Sequence, residues 1–205
     1  MLDVASGFLV FGAALLVTAT PGPGSFYVPA RTLAGGRDEG LASSLGIAVG
    51  GLVHVMAGAA GVAALILASP RAFTALKWAG AAYLLWLGLR MYREAHVQAP
   101  DIAMAPAGMR QAFRDGIVVE ALNPKTAAFF LAFIPGFIDP AQNVALQFMY
   151  FGLLTVLAGA IIDVTVTLAA ASARTVLVRR PAAMVRVRQA GGAMVCALAA
   201  LLPFA

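Results

Sequence analysis

The sequence predicts an all-α integral membrane protein with six transmembrane helices. Hydrophobic residues make up 61% of the 205 residues and charged residues only 11%, against about 25% in soluble proteins. The chain therefore has too few charges to cover a water-soluble surface. It does have apolar runs of about the 20 residues that a helix needs to cross a bilayer. Six such runs are bounded by charged residues or prolines, at residues 2–33, 41–68, 73–91, 113–137, 145–173 and 189–204.

The six runs form one transmembrane domain, residues 1–205, with two halves. A less hydrophobic linker, about residues 96–109, separates residues 1–95 from residues 110–205. Each half has three runs, and an odd number of spans gives the two halves opposite orientations in the membrane. This organisation predicts a 3+3 inverted repeat, which is common among secondary transporters.

The first run of each half is interrupted by proline. Pro21, Gly22 and Pro23 interrupt the first run, and Asn123 and Pro124 interrupt the fourth. Paired interruptions of this kind indicate broken helices that meet at a binding site near the middle of the membrane. We therefore predict broken first and fourth helices, with these residues at a substrate site.

Basic residues predict the orientation of the chain. Most of the 14 Lys and Arg residues follow the first, third and fifth runs, whereas the other side has Arg71 and Lys77. By the positive-inside rule the odd-numbered loops are cytoplasmic and both termini are periplasmic. The basic side chains that support this orientation are Arg31, Arg37, Arg90, Arg93, Arg110, Arg114, Arg174, Arg179, Arg180, Arg186 and Arg188.

The fourth run contains a lysine directly after its break. Asn123 is a favourable N-cap and Pro124 a favourable first helical residue, so a second half-helix is expected to begin there. Its free backbone N–H groups and the Lys125 ammonium would then attract an anion. The alternative is a kinked helix in which Lys125 extends to the membrane surface.

The first run is too long for one straight span. As a single helix, residues 2–33 would extend about 48 Å, whereas the hydrocarbon core is about 30 Å thick. The run must therefore break or leave the membrane at Pro21, Gly22 and Pro23. The break lies either at the midplane or in a turn at the membrane edge.

One acidic residue lies deep within the fifth run. Asp163 has ten uncharged residues on each side, and Thr155, Gly159 and Thr167 share its helix face. Ionisable groups inside a membrane usually face the protein interior and take part in transport. Asp163 is therefore a candidate for proton coupling, and the alternative is structural pairing with Lys125.

Two further residues are candidates for proton coupling. Glu120 precedes Lys125 across the break and competes with Asp163 for that role. His54 follows Gly46 and Gly50 at intervals of four residues, a spacing that favours close helix packing. His54 is therefore either a proton relay or a hydrogen-bonded packing residue.

The sequence has no motif that indicates an enzyme, a metal-binding protein or a nucleic-acid-binding protein. Two histidines and the single Cys196 are too few for a tetrahedral zinc site, and no phosphate-binding loop or serine nucleophile motif is present. We therefore expect no enzyme activity, no bound metal and no cofactor. The net charge of +5 reflects membrane orientation rather than a nucleic-acid partner.

These motifs together resemble those of the LysE/RhtB family of bacterial amino-acid exporters. The resemblance covers nearly the whole chain. The matching segments are Pro21-Gly22-Pro23, the turn Gly36-Arg37 with Gly40-Leu41, the third-run signature Ser69-Pro70, Phe73, Leu76-Lys77 and Gly80-Ala81-Ala82-Tyr83-Leu84 with Leu87-Gly88, and Asn123-Pro124-Lys125 with Phe129-Phe130-Leu131-Ala132-Phe133-Ile134-Pro135. One departure is Gly24, where the family usually has asparagine.

The resemblance implies a function and a location. It implies export of amino acids or close analogues across the bacterial inner membrane, driven by the proton gradient and often carried out by homodimers. An amino-acid zwitterion needs a cation for its carboxylate, here Lys125, and an acid for its ammonium, here Asp163 or Glu120. The alternatives are an exporter of another small ion or metabolite, and a membrane scaffold that transports nothing.

Overall fold

The computed structural model describes residues 4–19, 23–93 and 105–172, and these residues form helices without any strand. In chain order the helices are α1 (Val4–Ala19), α2 (Pro23–Ala68), α3 (Pro70–Arg93), α4 (Met109–Ala121), α5 (Pro124–Ala132) and α6 (Val144–Ser172), with a 3-10 turn (Ile134–Phe137) after α5. The all-α prediction is confirmed for this part of the chain. The sixth run, residues 189–204, and most of the linker lie outside the described residues, so the 3+3 arrangement stays a prediction.

Three parts of the described chain have the length and composition of membrane spans. Gly24–Leu65 within α2 and Val144–Ala171 within α6 are each long and apolar enough to cross a bilayer. α4 and α5 meet at a 48° bend and together form the third candidate. The fourth run is therefore broken at the predicted position.

α2 changes direction at Gly36. This glycine has a φ of 86°, a left-handed conformation that costs glycine little because it has no Cβ. The family resemblance implies a cytoplasmic turn at residues 36–41, but the structure has helix on both sides of a single non-helical residue. One residue with positive φ is enough to redirect the helix axis while its neighbours keep helical hydrogen bonds.

Arg31 is buried within the bundle, with 6% of its surface exposed. The charge pattern placed it in a cytoplasmic loop, whereas the structure places it within helix α2, where two carboxylates offset its charge. Its guanidinium donates to Asp115 Oδ2 at 3.0 Å and lies 4.0 Å from Glu39 Oε2. Glu39 Oε1 accepts the backbone N–H groups of Ala107 and Gly108, so the cluster ties α2 to the segment that precedes α4.

Glycines bring α2 and α4 into backbone contact. A Cβ at Gly46 would collide with the Phe113 carbonyl oxygen, and one at Gly50 would lie 2.6 Å from the Ile117 carbonyl oxygen. Gly116 on α4 faces α2 equally closely. Close packing along the glycine stripe of the second run is therefore confirmed, and it positions the α4–α5 junction beside α2.

An apolar core packs α1, α2, α5 and α6 together. Phe130 of α5 and Phe148 of α6 are almost fully buried, and their ring centroids are 6.2 Å apart. A Cβ at Gly58 of α2 would collide with the Phe148 ring, so this glycine makes room for the aromatic side chain. The core holds the broken helix α5 against its neighbours.

Candidate functional site

A cavity of about 60 Å³ lies where the end of α1, the start of α2, the α4–α5 junction and the middle of α6 meet. Three ionisable side chains that the sequence placed within the apolar runs, Glu120, Lys125 and Asp163, line it. The residues that line it include Val17, Thr18, Gly24, Ser25, Gly51, Glu120, Asn123, Lys125, Thr126, Phe130, Thr155, Gly159 and Asp163.

The break of the first run borders this cavity. α1 ends at Ala19 and α2 begins at Pro23, while Pro21 and Gly22 lie outside the described residues. The Ser25 hydroxyl donates to the Thr18 carbonyl oxygen at 3.1 Å, which links the two helices across the break. The hydrogen bond also satisfies a carbonyl group at the open end of α1.

The two broken runs lie side by side. A Cβ placed on Gly24 would come within 3.0 Å of Glu120 Oε2 and 3.8 Å of Asn123 Nδ2. Gly24, where the resembling family usually has asparagine, therefore permits the close approach between the start of α2 and the α4–α5 junction.

Asn123 caps α5 as the sequence predicted. Its Oδ1 accepts the Lys125 backbone N–H at 3.1 Å, and Pro124 is the first helical residue. The backbone carbonyl of Asn123 accepts the Ala127 N–H at 3.0 Å. The Lys125 N–H is therefore taken by the cap rather than left free for an anion, because the N-cap side chain binds it first.

The Lys125 side chain turns inward. It is 7% exposed, and its ammonium donates to the Val17 carbonyl oxygen at 3.1 Å, near the end of α1. The interpretation in which Lys125 extends to the membrane surface is therefore wrong. A lysine ammonium has three N–H donors, so it provides a cation and hydrogen bonds at the edge of the cavity.

Glu120 is held by two side-chain donors. Its Oε2 accepts from Asn123 Nδ2 at 2.9 Å, and its Oε1 accepts from the Thr126 hydroxyl at 2.7 Å. Thr126 was not among the predicted site residues, although a hydroxyl one turn after an N-cap was a visible signal. These two hydrogen bonds connect the last turn of α4 to the first turn of α5.

The Asp163 carboxylate differs from that of Glu120 in its hydrogen bonding. It is 4% exposed, and its Oδ2 has no hydrogen-bond partner within the described ranges. The predicted polar face of α6 is confirmed, because Thr155 and Thr167 are buried with Asp163 while Gly159 lines the cavity. The carboxylate is also close enough to Lys125 and Glu120 to interact with their charges.

His54 lies outside the cavity lining. Its Nε2 is 2.8 Å from the Glu120 carbonyl oxygen, and its ring is 5.7 Å from the ring of Phe130. Since a carbonyl group only accepts, Nε2 carries the proton and donates. The same carbonyl also accepts the Asn123 N–H at 3.0 Å, so His54 adds a second hydrogen bond at the break between α4 and α5.

No group of His, Cys, Asp and Glu side chains in residues 4–19, 23–93 and 105–172 is arranged to hold a metal ion. The charged residues of the cavity are two acids and one lysine. They can bind the two ends of a small zwitterion or carry a proton, whereas they offer no nucleophile paired with a histidine base.

A family model described as LysE type translocator matches residues 15–204. The chain belongs to this family. It is therefore a multi-pass membrane protein of a translocator family, and the resemblance found in the motifs is confirmed. The match includes both breaks and every charged residue of the cavity.

Curated relatives are about 30% identical to this translocator over the aligned segments. An "Uncharacterized membrane protein" of Vibrio cholerae is 30% identical over 88% of each chain. A "Homoserine/homoserine lactone efflux protein" of Salmonella typhimurium is 32% identical over 69% of this chain and 68% of its own. A "Leucine efflux protein" of Klebsiella pneumoniae is 32% identical over 62% of this chain and 60% of its own. No solved structure matches the chain significantly.

Proposed function

We propose that this translocator exports amino acids or close analogues across the bacterial inner membrane by proton-coupled secondary transport. The observation that carries the proposal is one small cavity at the junction of two broken helices, with a buried cation and two buried acids. The names of two relatives, efflux proteins for homoserine and for leucine, support an amino-acid substrate.

Lys125 is the proposed partner of the substrate carboxylate. Its ammonium is the buried cation of the cavity lining, and it lies at the positive end of the α5 dipole. Pro21, Gly22, Pro23, Asn123 and Pro124 are proposed to serve the site through the backbone, and among them Pro23, Asn123 and Pro124 lie at helix starts that border the cavity. Proline and glycine suit this role because they interrupt helical hydrogen bonding.

Asp163 is the proposed partner of the substrate ammonium and the proposed proton carrier. Glu120 already accepts two side-chain hydrogen bonds, whereas one oxygen of Asp163 has no hydrogen-bond partner in the described part of the chain. A proton on Asp163 and an ammonium bound to it exclude one another, because a neutral carboxylic acid holds a cation weakly. This exclusion couples proton entry to substrate release. Glu120 and His54 then serve as positioning residues.

The proposed topology has six spans and two periplasmic termini. The basic residues that follow the third run support this orientation, since Arg110 and Arg114 are both exposed. The 3+3 repeat, the division into halves at residues 95 and 110, and the homodimer stay predictions.

The test is flux into proteoliposomes with an imposed pH gradient and a panel of labelled amino acids. We expect flux of some amino acids in the wild type. We expect at least a tenfold loss of flux in Asp163→Asn, because asparagine has no charge to bind the substrate ammonium and carries no proton. A tenfold loss corresponds to about 1.4 kcal/mol of lost binding free energy. Asp38→Asn is the matched control, since Asp38 is an exposed acid on α2.

Each other outcome of that experiment counts against part of the proposal. Full proton-driven flux in Asp163→Asn would move the coupling to Glu120. Absence of amino-acid flux in folded wild-type protein would overturn the amino-acid proposal and favour another solute. A loss of folding in every cavity variant, with no flux of any solute, would favour a scaffold.

A further inference from the structure

Buried hydroxyl groups continue from the cavity toward the kink of α2. This polar column consists of Thr32, Ser43, Ser44 and Thr167. The apolar core lies on the other side of the cavity, since its members on α2, such as Val55, follow the cavity residues of that helix, and those on α6, such as Phe148, precede them. Buried polar groups within a membrane protein commonly mark the path of a substrate or an ion.

The polar column begins one helical turn from the cavity, and it is closed in this structure. Thr167 follows Asp163 by four residues on α6, which is about one turn. The hydroxyl oxygens of Ser44 and Thr167 are 3.2 Å apart, so a hydrogen bond joins α2 to α6. A Cβ on Gly40 would collide with Thr32 and Thr167. The helices are therefore in direct contact along the column.

A charged cluster lies at the outer end of the polar column. It consists of Arg31, Glu39 and Asp115. Arg31 and Glu39 are buried and are next to Thr32 and Gly40 in the chain, whereas Asp115 is partly exposed. The cluster therefore separates the buried hydroxyl groups from the surface at the kink of α2.

The charged cluster joins α2 to the segment that precedes α4. Arg31 donates to the Ala105 carbonyl oxygen at 3.2 Å as well as to Asp115. Glu39 Oε1 accepts two backbone N–H groups of residues 107–108, whereas Glu39 Oε2 is buried without a hydrogen-bond partner among the described residues. Arg31 and Glu39 lie on opposite sides of Gly36, so the cluster also fixes the angle of the kink.

We propose that the polar column marks the path by which substrate enters the cavity from the cytoplasm, and that the charged cluster is the gate of this path. The inference rests on the proposed function and topology, which place the kink of α2 on the cytoplasmic side. A zwitterion that leaves water needs polar groups along its way, and hydroxyl groups both donate and accept hydrogen bonds. The gate opens when the carboxylates separate from Arg31.

The first test measures access to Ser44 from the cytoplasmic side. Ser44→Cys is made in a Cys196→Ser background, and inverted membrane vesicles, which expose the cytoplasmic face, are treated with a membrane-impermeant maleimide. We expect Asp115→Asn to raise the labelling rate at least about tenfold, because the hydrogen bond between charged groups that closes the gate is lost.

Two variants serve as controls for this measurement. Asp115→Glu keeps a carboxylate, so its labelling rate should stay within about twofold of that of the parent. Asp38→Asn removes an exposed acid of α2 outside the cluster and should leave the rate unchanged. Equal labelling rates in Asp115→Asn and its parent would overturn the gate.

A second test locks the path without removing the cluster. The Ser44 and Thr167 hydroxyl oxygens are close enough that cysteines at both positions can form a disulfide. In the Cys196→Ser background, we expect oxidation of Ser44→Cys/Thr167→Cys to lower amino-acid flux in proteoliposomes at least tenfold and reduction to restore it. Each single-cysteine variant is a control, since it cannot form the crosslink.

The outcomes separate this inference from the proposed function. Undiminished flux through the crosslinked protein would overturn the path between α2 and α6 and leave the proposed function intact. Wild-type protein that transports no amino acid would overturn the proposed function, and the labelling rates of Ser44→Cys would then decide by themselves whether the charged cluster closes the polar column.

Discussion

The two buried acids of the cavity differ in the number of hydrogen bonds that hold them. Glu120 accepts from Asn123 and Thr126, whereas Asp163 Oδ2 has no hydrogen-bond partner within the described ranges. A buried carboxylate without donors is costly, and a carboxylate that accepts hydrogen bonds stabilises the elements that it links. The structure therefore distinguishes a carboxylate that supports the helix junction from one that has an unbonded oxygen, which is why we propose Asp163 as the ligand-binding acid.

Substitution of these acids is expected to affect stability in different ways. Glu120→Gln should lower the free energy of unfolding by about 1–3 kcal/mol, because the charge-assisted hydrogen bonds at the α4–α5 junction are lost. Asp163→Asn should lower it less, because its Oδ2 has no hydrogen bond to lose within the described ranges. Thermal unfolding of the purified proteins in one detergent measures both effects. Equal destabilisation by the two variants would contradict the distinction.

Substitution of Lys125 is expected to lower transport while leaving membrane insertion unchanged. Lys125→Ala removes the cation proposed for the substrate carboxylate, so flux should fall at least about tenfold. The protein should still insert into the membrane, because the variant removes a charge from an apolar segment. Proteoliposome flux and the amount of membrane-inserted protein are the measurements, with the exposed Arg37→Ala as control. Normal flux in Lys125→Ala would refute its assignment to the site.

Two helix breaks of different kinds shape the bundle. The break between α4 and α5 has a side-chain cap from Asn123, a proline and a hydrogen bond from His54 to the Glu120 carbonyl. The break in α2 depends on the positive φ of Gly36. The first satisfies backbone groups that a membrane cannot solvate, and the second only redirects a helix.

The contact between α2 and α4 is expected to depend on the absence of side chains at their glycines. Gly46→Ala should destabilise the protein by about 1–3 kcal/mol, because its Cβ would collide with the Phe113 carbonyl group on α4. Gly61→Ala makes the same chemical change where the added Cβ has nothing within 4 Å. Thermal unfolding in detergent compares the two, and equal stability would show that α2 and α4 are not packed this closely.

The predicted orientation of the chain in the membrane determines which introduced cysteines a reagent outside the cell can reach. In a Cys196→Ser background, Asp139→Cys should react with a membrane-impermeant thiol reagent in intact cells, and Asp38→Cys should not. Both positions are exposed, but the predicted topology places the loop after α5 outside and the kink region of α2 inside. Labelling of both positions after cell lysis is the control. The reverse pattern in intact cells would invert the topology.

The sequence alone determined the all-α class, the position of the break at Asn123 and Pro124, the glycine face of α2 and the polar face of α6. These features depend on hydrophobic period, capping chemistry and residue size, which are local properties. The family followed from the order and spacing of its motifs. Arg31 shows the limit of such reasoning, because its charge resembled that of a loop residue until its partners were known.

Only the tertiary structure decided which groups contact one another. Asp115 is 84 residues from Arg31 in the chain, and the packing of α4 on α2 brings its carboxylate to the guanidinium of Arg31, which Glu39 approaches from the same helix α2. The position of α5 beside α1 brings the Lys125 ammonium to the Val17 carbonyl, and Asp163 Oδ2 has no donor among the described residues. The two donors of Glu120, by contrast, lie within six residues of it in the chain. Arg31, Lys125 and Asp163 are surrounded by groups from other helices, and no local pattern in the chain records those neighbours.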